Sequence, residues 1–229
     1  VLLACFAVSA GGRYQQFEYW KKTPAAYFVG ERPLMTTLDA PFWLRLARDY
    51  NEVTFGGEAV QRKNRGKAEH SNTTTSIPAE FLESSPSTPR TSESNYRDVP
   101  LLSFLIAHLS PFFNYNYYLT GTLLVPVLAS LFILPLGIYF FRIGVPVSGL
   151  LGGLIGTFAG GYYMRSSIGR IDTDMLNLFF PALASLLILL GSRAKSERAV
   201  LLYSVGTGLS LFLFQWWYSR PGFTLAYFM

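Results

Sequence analysis

The chain has few charged residues and almost no cysteine or histidine. Of its 229 residues, 14% are charged, whereas about a quarter of the residues in a soluble domain are charged. The single cysteine, Cys5, excludes an intrachain disulfide and zinc sites built on several cysteines. The net charge of +5 comes without a basic stripe interleaved with aromatic residues, so we expect no nucleic-acid partner.

Apolar residues are abundant instead and are gathered into long runs. Half of the chain is hydrophobic, and the mean hydropathy is +0.27. Because lipid cannot hydrogen-bond to the backbone, a run that spans a bilayer has to be helical. The sequence therefore predicts an all-α membrane protein, a multi-spanning helical bundle over 118–229, with four spans at about 118–141, 145–163, 175–191 and 199–218.

The two ends of the sequence indicate a piece of a longer protein. Residues 1–10, VLLACFAVSA, are apolar but shorter than the roughly 20 residues that span a bilayer. We interpret them as the end of a first transmembrane helix, although a signal-peptide remnant also fits. The chain begins without Met and ends inside a new apolar run, so we expect it to be the N-terminal membrane part of a larger protein.

Residues 11–117 are predicted to form a large first loop outside the membrane. Its last part, about 99–114, is apolar but interrupted by Pro111, which favours a helix lying at the membrane interface. Residues from about 51 to 98 are rich in Ser, Thr, Pro and charge, a composition that cannot bury enough apolar surface to fold. We therefore interpret that stretch as a disordered insertion in the loop.

The number of spans predicts which connections share a membrane face. If 1–10 ends a first span, the first loop, a turn at 165–174 and the end of the last span fall on one side. The opposite connections hold four Lys or Arg residues against three on the shared side, a small excess that favours the external side for the shared face but does not decide it. The aromatic sequence WWY at 216–218 is then expected to lie in the aromatic belt of the interface.

Two aspartates mark the turn before the third predicted span. In GRIDTDMLNLFFP, Asp172 and Asp174 are separated by one threonine. Either acid could cap the helix predicted to begin near Met175, and the other would complement the helix dipole. A cap does not explain two carboxylates at a spacing where their charges repel, whereas a divalent cation would use both as oxygen ligands.

A further aspartate lies in the first loop, in MTTLDAPFWLRLARDY. Asp39 precedes a predicted short amphipathic helix with Pro41 in its first turn. The pair Phe42–Trp43, together with Arg45, suits a helix on the membrane surface. A plain N-cap role for Asp39 fits the same residues, and the sequence leaves both interpretations open.

Three stretches resemble the catalytic subunits of oligosaccharyltransferases, which transfer a glycan from a lipid carrier to asparagine. LDAPFWLRLARDY is similar to the first external loop of that family, where an Asp precedes aromatic residues and an Arg. GRIDTDMLNLFFP resembles the acidic pair of the second external loop, and FLFQWWYSRPGFTL the end of the fifth helix. The resemblance implies a GT-C-type glycosyltransferase membrane domain, here truncated.

The same resemblance assigns roles to the acidic and basic residues. It implies that Asp39 and Asp172 bind Mg²⁺ or Mn²⁺, with Asp174 as the second member of the pair. Asp39 would also act catalytically by accepting a hydrogen bond from the acceptor amide. The candidates for contact with the lipid pyrophosphate are Arg165, Arg170 and Arg45, although Arg165 and Arg170 could equally pair with the two acids of the turn.

The resemblance also implies partners and a location. The donor would be a lipid-linked oligosaccharide, the acceptor a protein or peptide with an asparagine sequon, and the surroundings membrane lipids. We expect a cell (inner) membrane location with the catalytic loops outside the cytoplasm. The family needs a later acid and an acceptor-binding motif that these 229 residues do not contain, so the chain alone is expected to be inactive.

Two other functions remain open from the sequence. A different membrane glycosyltransferase that uses a lipid-linked sugar would share the acidic loops without needing a peptide acceptor. A transporter with an external cation site is a third possibility, but transporters carry ionisable residues inside their spans. The four predicted spans contain none, which favours chemistry at the membrane surface.

Overall fold

The computed structural model describes residues 1–54 and 99–218. Apart from residues 51–54, which are helical, the predicted insertion at about 51–98 lies outside the described residues. The α-helices are α1 (Leu2–Lys22), α2 (Pro24–Tyr27), α3 (Ala40–Thr54), α4 (Leu101–Leu109), α5 (Tyr117–Ser130), α6 (Ile133–Arg142), α7 (Pro146–Phe158), α8 (Gly160–Arg165), α9 (Phe179–Ser192) and α10 (Glu197–Trp217). Two 3-10 helices, Ser110–Phe113 and Thr173–Leu176, and one antiparallel pair of short strands, β1 (Phe28–Val29) and β2 (Arg32–Pro33), complete these ranges.

The prediction of an all-α membrane bundle is confirmed. Within the described ranges, three helical segments are long and apolar enough to cross a membrane: Tyr117–Arg142, Thr173–Ser192 and Glu197–Trp217. The first of these combines α5 and α6, which are separated by a tight turn at Leu131 and Phe132. Pro135 accounts for the interruption, because proline has no N–H to donate to the carbonyl four residues earlier.

The predicted span at 145–163 is not one continuous helix. Helix α7 ends at Phe158, Ala159 adopts an extended backbone with ψ of 125°, and α8 starts again at Gly160. The 13 residues of α7 rise by only about 20 Å, against a hydrocarbon thickness of about 30 Å. The apolar composition of the run gave no indication of this break. The break leaves the carbonyls at the end of α7 without helical partners.

Helix α1 is longer than predicted. It continues through the two glycines after Ala10 and ends at Lys22, so residues 11–22, predicted as the start of the first loop, are helical. The reason is tertiary packing: Cys5, Ser9, Arg13, Phe17 and Trp20 form one buried stripe along this helix. Burial of that stripe outweighs the cost of about 1 kcal/mol that each glycine adds to a helix.

Helix α3 packs one face on protein, and its location at the membrane surface stays a prediction. Ala40, Leu44 and Ala47 recur at helical spacing and are buried, and the Ser103 hydroxyl of α4 donates to the Trp43 carbonyl at 2.9 Å. The largest buried cluster joins α3 and α4 to α5, to the 3-10 helix Thr173–Leu176 and to the end of α10. Its members include Leu44, Leu102, Ile106, Val125, Met175 and Trp217.

Contacts between distant segments define two ends of the bundle. At one end, the Thr36 N–H in the first loop donates to the Gly169 carbonyl at 3.0 Å, and Trp217 Nε1 donates to the Thr173 carbonyl at 2.6 Å. At the other end, the Arg193 guanidinium donates to the Arg142 carbonyl. The first loop, the turn at 165–174 and the end of α10 therefore share one end.

This arrangement leads to a labelling prediction for the full-length protein in sealed vesicles. Single cysteines replacing Leu38 and Ser167, in a Cys5→Ala background, should react with a membrane-impermeant maleimide from the same side. A cysteine replacing the exposed Lys195 should react from the opposite side. Labelling of positions 38 and 167 from opposite sides would contradict a shared end.

Candidate active site

The acidic turn, residues 165–174, depends on one glycine. Gly169 has φ of +78°, and a Cβ there would lie 2.5 Å from the Trp20 ring and 2.7 Å from the Leu34 carbonyl oxygen. Only glycine accepts both this backbone conformation and this close approach. The turn is thereby pressed against α1 on one side and against the first loop on the other.

Asp172 caps the helix that follows it and keeps one oxygen without a protein partner. Its backbone is extended, and Oδ1 accepts from the Thr173 N–H at 2.7 Å at the start of the 3-10 helix Thr173–Leu176. The cap hypothesis therefore holds for this residue. Oδ2 has no hydrogen-bond partner among the residues that the structure describes, which leaves it available to a ligand.

Asp174 is engaged through both carboxylate oxygens. Oδ2 lies 3.3 Å from Arg165 Nη1, and Oδ1 accepts from Asn177 Nδ2 at 3.2 Å. The ion-pair interpretation of Arg165 is therefore the one seen in the structure. Because the Arg165 side chain is 65% exposed, water screens the pair, and its stabilising effect is small.

Arg170 lies close enough to Asp172 to affect its titration. Burial raises the pKa of Asp172, and the positive charge of Arg170 acts in the opposite direction. The Nε of Arg170 is itself buried and has no hydrogen-bond partner within the described ranges. An unpartnered buried donor is costly. Arg170 is therefore better suited than the paired Arg165 to bind an anionic group at this turn.

Asp39 lies at the start of α3 and does not cap it with its side chain. Its carbonyl accepts from the N–H groups of Phe42 and Trp43 at 3.0 and 3.2 Å. Its exposed carboxylate makes no hydrogen bond or ion pair with the residues that the structure describes. The N-cap interpretation of the Asp39 side chain therefore finds no support in this structure.

The structure places the segment before Asp39 against the acidic turn, because the Thr36 N–H donates to the Gly169 carbonyl at 3.0 Å. Burial raises the pKa of Asp172 above its ordinary value, and the charges of Asp174 and Asp39 raise it further. Arg45, in contrast, pairs with Asp49 on α3 at 3.6 Å, and no contact in the described ranges joins it to the acidic turn. The segments that carry the two acids proposed as metal ligands are thus in contact, whereas the third arginine candidate is held in a local pair.

The donor set fits a hard divalent cation only in part. No group of three or more His, Cys, Asp or Glu side chains close enough to hold a metal ion occurs in the described residues. Asp39 and Asp172 together retain three carboxylate oxygens that accept no hydrogen bond there. Such oxygens are the ligands that Mg²⁺ and Mn²⁺ prefer, and a complete site needs further ligands.

Two supports of the acidic turn were not recognised in the sequence. Trp217, expected in an aromatic belt, is 1% exposed, and its indole N–H holds the Thr173 carbonyl, so the belt interpretation is wrong for this residue. Arg13 was assigned no role, yet it is fully buried and bonds to Ser166. Its position four residues after Ser9 and four before Phe17, on one helix face, was the available signal.

The fold defines the class of protein, and a comparison with known proteins identifies its family. The fold is that of a multi-spanning helical membrane protein with an acidic turn at one end. A family model described as "Oligosaccharyl transferase STT3, N-terminal" matches residues 98–229, more than half of the chain, and the chain belongs to this family. The match includes the acidic turn, whereas Asp39 and α1 lie outside it. No individual curated protein matches the chain.

The raised pKa of Asp172 predicts a pH-dependent effect on stability. A carboxyl whose pKa is higher in the folded state destabilises the fold above that pKa, and this penalty disappears below the unfolded value of about 4. We expect Asp172→Asn to raise the unfolding temperature at about pH 7 in the presence of a chelator, and the gain to vanish near pH 4.

The matched control for this measurement is Asp174→Asn. It removes an acceptor from Arg165 and Asn177 and should therefore bring no comparable gain at neutral pH. Thermal unfolding of the detergent-solubilised full-length protein, at the two pH values, measures both variants. Equal unfolding temperatures for Asp172→Asn and the wild type at neutral pH would contradict the burial penalty on Asp172.

Proposed function

We propose that this chain is the N-terminal membrane part of an oligosaccharyltransferase. The enzyme transfers a glycan from a polyprenyl-(pyro)phosphate carrier to an asparagine of an acceptor protein, on the side of the membrane that faces away from the cytoplasm. Membership of the family supports a membrane glycosyltransferase in general. The observation that carries the specific proposal is the contact between the first loop and the acidic turn, where the Thr36 N–H donates to the Gly169 carbonyl at 3.0 Å, so that Asp39 and Asp172 lie at the same end of the bundle.

Asp39 and Asp172 would hold Mg²⁺ or Mn²⁺ together with ligands from outside these 229 residues. When bound, such an ion supplies positive charge near the phosphate oxygen on which negative charge develops. Asp174 would add negative charge next to the ion without direct coordination, since Arg165 and Asn177 contact both of its carboxylate oxygens. Arg170, whose buried Nε has no partner in the described part of the chain, is the candidate for direct contact with the pyrophosphate.

The exposed carboxylate of Asp39 is suited to act on the acceptor amide. An asparagine amide is a weak nucleophile because the nitrogen lone pair is delocalised into the carbonyl. A hydrogen bond from the amide N–H to Asp39 would weaken that conjugation. The nitrogen then bonds to the anomeric carbon, the bond from that carbon to the phosphate oxygen breaks, and the amide proton passes to the carboxylate.

A transfer assay with the full-length protein tests this proposal. A lipid-linked oligosaccharide and Mn²⁺ are supplied with a peptide that contains an asparagine sequon, and the matched control peptide carries Gln at that position. We expect a mass increase equal to the glycan on the first peptide alone, and none with residues 1–229 on their own. Transfer of sugar to a non-peptide acceptor, with neither peptide modified, would favour another lipid-dependent glycosyltransferase instead.

A further inference from the structure

Arg13 is a buried cation whose side chain is fully satisfied by hydrogen bonds. Nε donates to the Ser166 carbonyl at 3.0 Å, and Nη2 donates to the Ser166 hydroxyl at 2.8 Å and to the Thr157 carbonyl at 3.0 Å. Nη1 donates to the hydroxyls of Ser9 and Thr157 at 2.9 and 3.1 Å. No carboxylate pairs with Arg13 within residues 1–54 and 99–218, so its charge must be balanced differently.

The balancing charges are the carboxyl ends of two helices. Thr157 is one of the last residues of α7, and Ser166 is the residue that caps α8. The last carbonyls of a helix have no intrahelical partners and carry partial negative charge. The ring faces of Tyr162 and Tyr163 add to this, with centroids 5.6 and 5.2 Å from the Arg13 Cζ. A planar guanidinium can bridge both helix ends, whereas a lysine ammonium cannot.

The contacts continue in register along α1 into the acidic turn. One turn after Arg13, Gln16 Oε1 accepts from the Ile168 N–H at 3.3 Å. One turn further, the ring of Trp20 lies against Gly169. Successive turns of α1 therefore contact Ser166, Ile168 and Gly169, in this order, along the chain leading to Asp172. The same Gly169 accepts from Thr36, in the segment that leads to Asp39.

We propose that Arg13 is a positioning residue for the candidate active site. By tying the carboxyl ends of α7 and α8 to α1, it sets the path of the acidic turn and thus the position of Asp172 relative to Asp39. This inference rests on the proposed function. It concerns a residue upstream of the region that the family model matches.

The test uses the full-length protein and two variants, Arg13→Gln and Arg13→Lys. Arg193→Gln is the matched control, because Arg193 also donates to a helix-end carbonyl, that of Arg142, at the opposite end of the bundle. We expect both Arg13 variants to raise the Mn²⁺ concentration for half-maximal transfer by at least about tenfold, as loss of a ligand-orienting contact does. Transfer at saturating Mn²⁺ should recover, and the control should match the wild type.

The lysine variant separates positioning from support of the fold. Lysine keeps the positive charge between the helix ends, so the amount of folded protein should be close to that of the wild type. The altered Mn²⁺ dependence should persist, because an ammonium cannot reproduce the guanidinium fork. A variant that lowers only the amount of folded protein, with an unchanged half-saturating Mn²⁺ concentration, would overturn the proposal.

Hydrogen exchange provides a measurement that does not depend on activity. Amides of residues 166–172 should exchange at least about tenfold faster in Arg13→Lys, while those of α9 and α10 stay unchanged. Ser166→Ala removes a single bond to Arg13 and should give a smaller increase in a well-folded protein. Unchanged exchange in both variants would overturn the positioning role. If the wild type transfers no glycan, the proposed function fails, and the exchange comparison still decides the role of Arg13.

Discussion

Replacing Asp172 with alanine in the full-length protein is expected to reduce glycan transfer by about two to three orders of magnitude. The same loss is expected for Asp39→Ala. Asp172 is half-buried, and burial raises its pKa because it disfavours the charged carboxylate. One of its oxygens accepts no hydrogen bond in the described residues. A carboxylate held in this way is suited to binding rather than to stability, so the protein should still insert in normal amount.

The controls follow from the contacts of the other acids. Asp49→Ala removes a carboxylate from the same helix as Asp39, but one that pairs with Arg45 and Arg48, and should keep transfer near the wild-type rate. Asp174→Ala should reduce transfer less than, or as much as, Asp172→Ala, because the oxygens of Asp174 are already bound by Arg165 and Asn177. The measurement is transfer to a sequon peptide at limiting Mn²⁺. Normal rates for both Asp39→Ala and Asp172→Ala would leave only structural roles for these acids.

Replacing Gly169 with alanine is expected to destabilise the protein by about 2–5 kcal/mol and to abolish transfer along with the fold of the acidic turn. The positive φ contributes about 1–2 kcal/mol for a residue with a Cβ. The contacts with the Trp20 ring and the Leu34 carbonyl oxygen contribute a further cost of about 1–3 kcal/mol, as in overpacked cores. The sum is a large part of the stability of a typical domain.

Two other glycines separate these contributions. Gly144 has φ of +93° with nothing within 4 Å of the position that a Cβ would occupy, and Gly160 has neither a positive φ nor a close neighbour. Gly144→Ala should therefore show the conformational cost alone, and Gly160→Ala only a small change. The fraction of protein that stays monodisperse after heating ranks the three variants. Equal loss for Gly169→Ala and Gly144→Ala would show that the approach of Trp20 and Leu34 is not tight.

Long apolar runs and the acidic residues could be recognised without the structure. A span must satisfy its own backbone in lipid, so hydropathy predicts a helix there whatever its neighbours are. Counting spans also placed the first loop and the acidic turn on one face, and the contacts at Gly169 and Thr173 agree with this. The same composition could not reveal the break at Ala159, because that break depends on local backbone conformation within a uniformly apolar run.

Hydropathy and residue spacing were thus enough to establish a helical membrane protein and to identify the carboxylates next to its spans. How those carboxylates are held became visible only once the helices were packed together. Arg165 pairs with Asp174, Trp217 turns inward to Thr173, and Arg13 reaches Ser166, which lies 153 positions away in the chain. These contacts are determined by the packing of helices that are distant in the sequence. No local pattern of hydropathy or residue spacing encodes that packing.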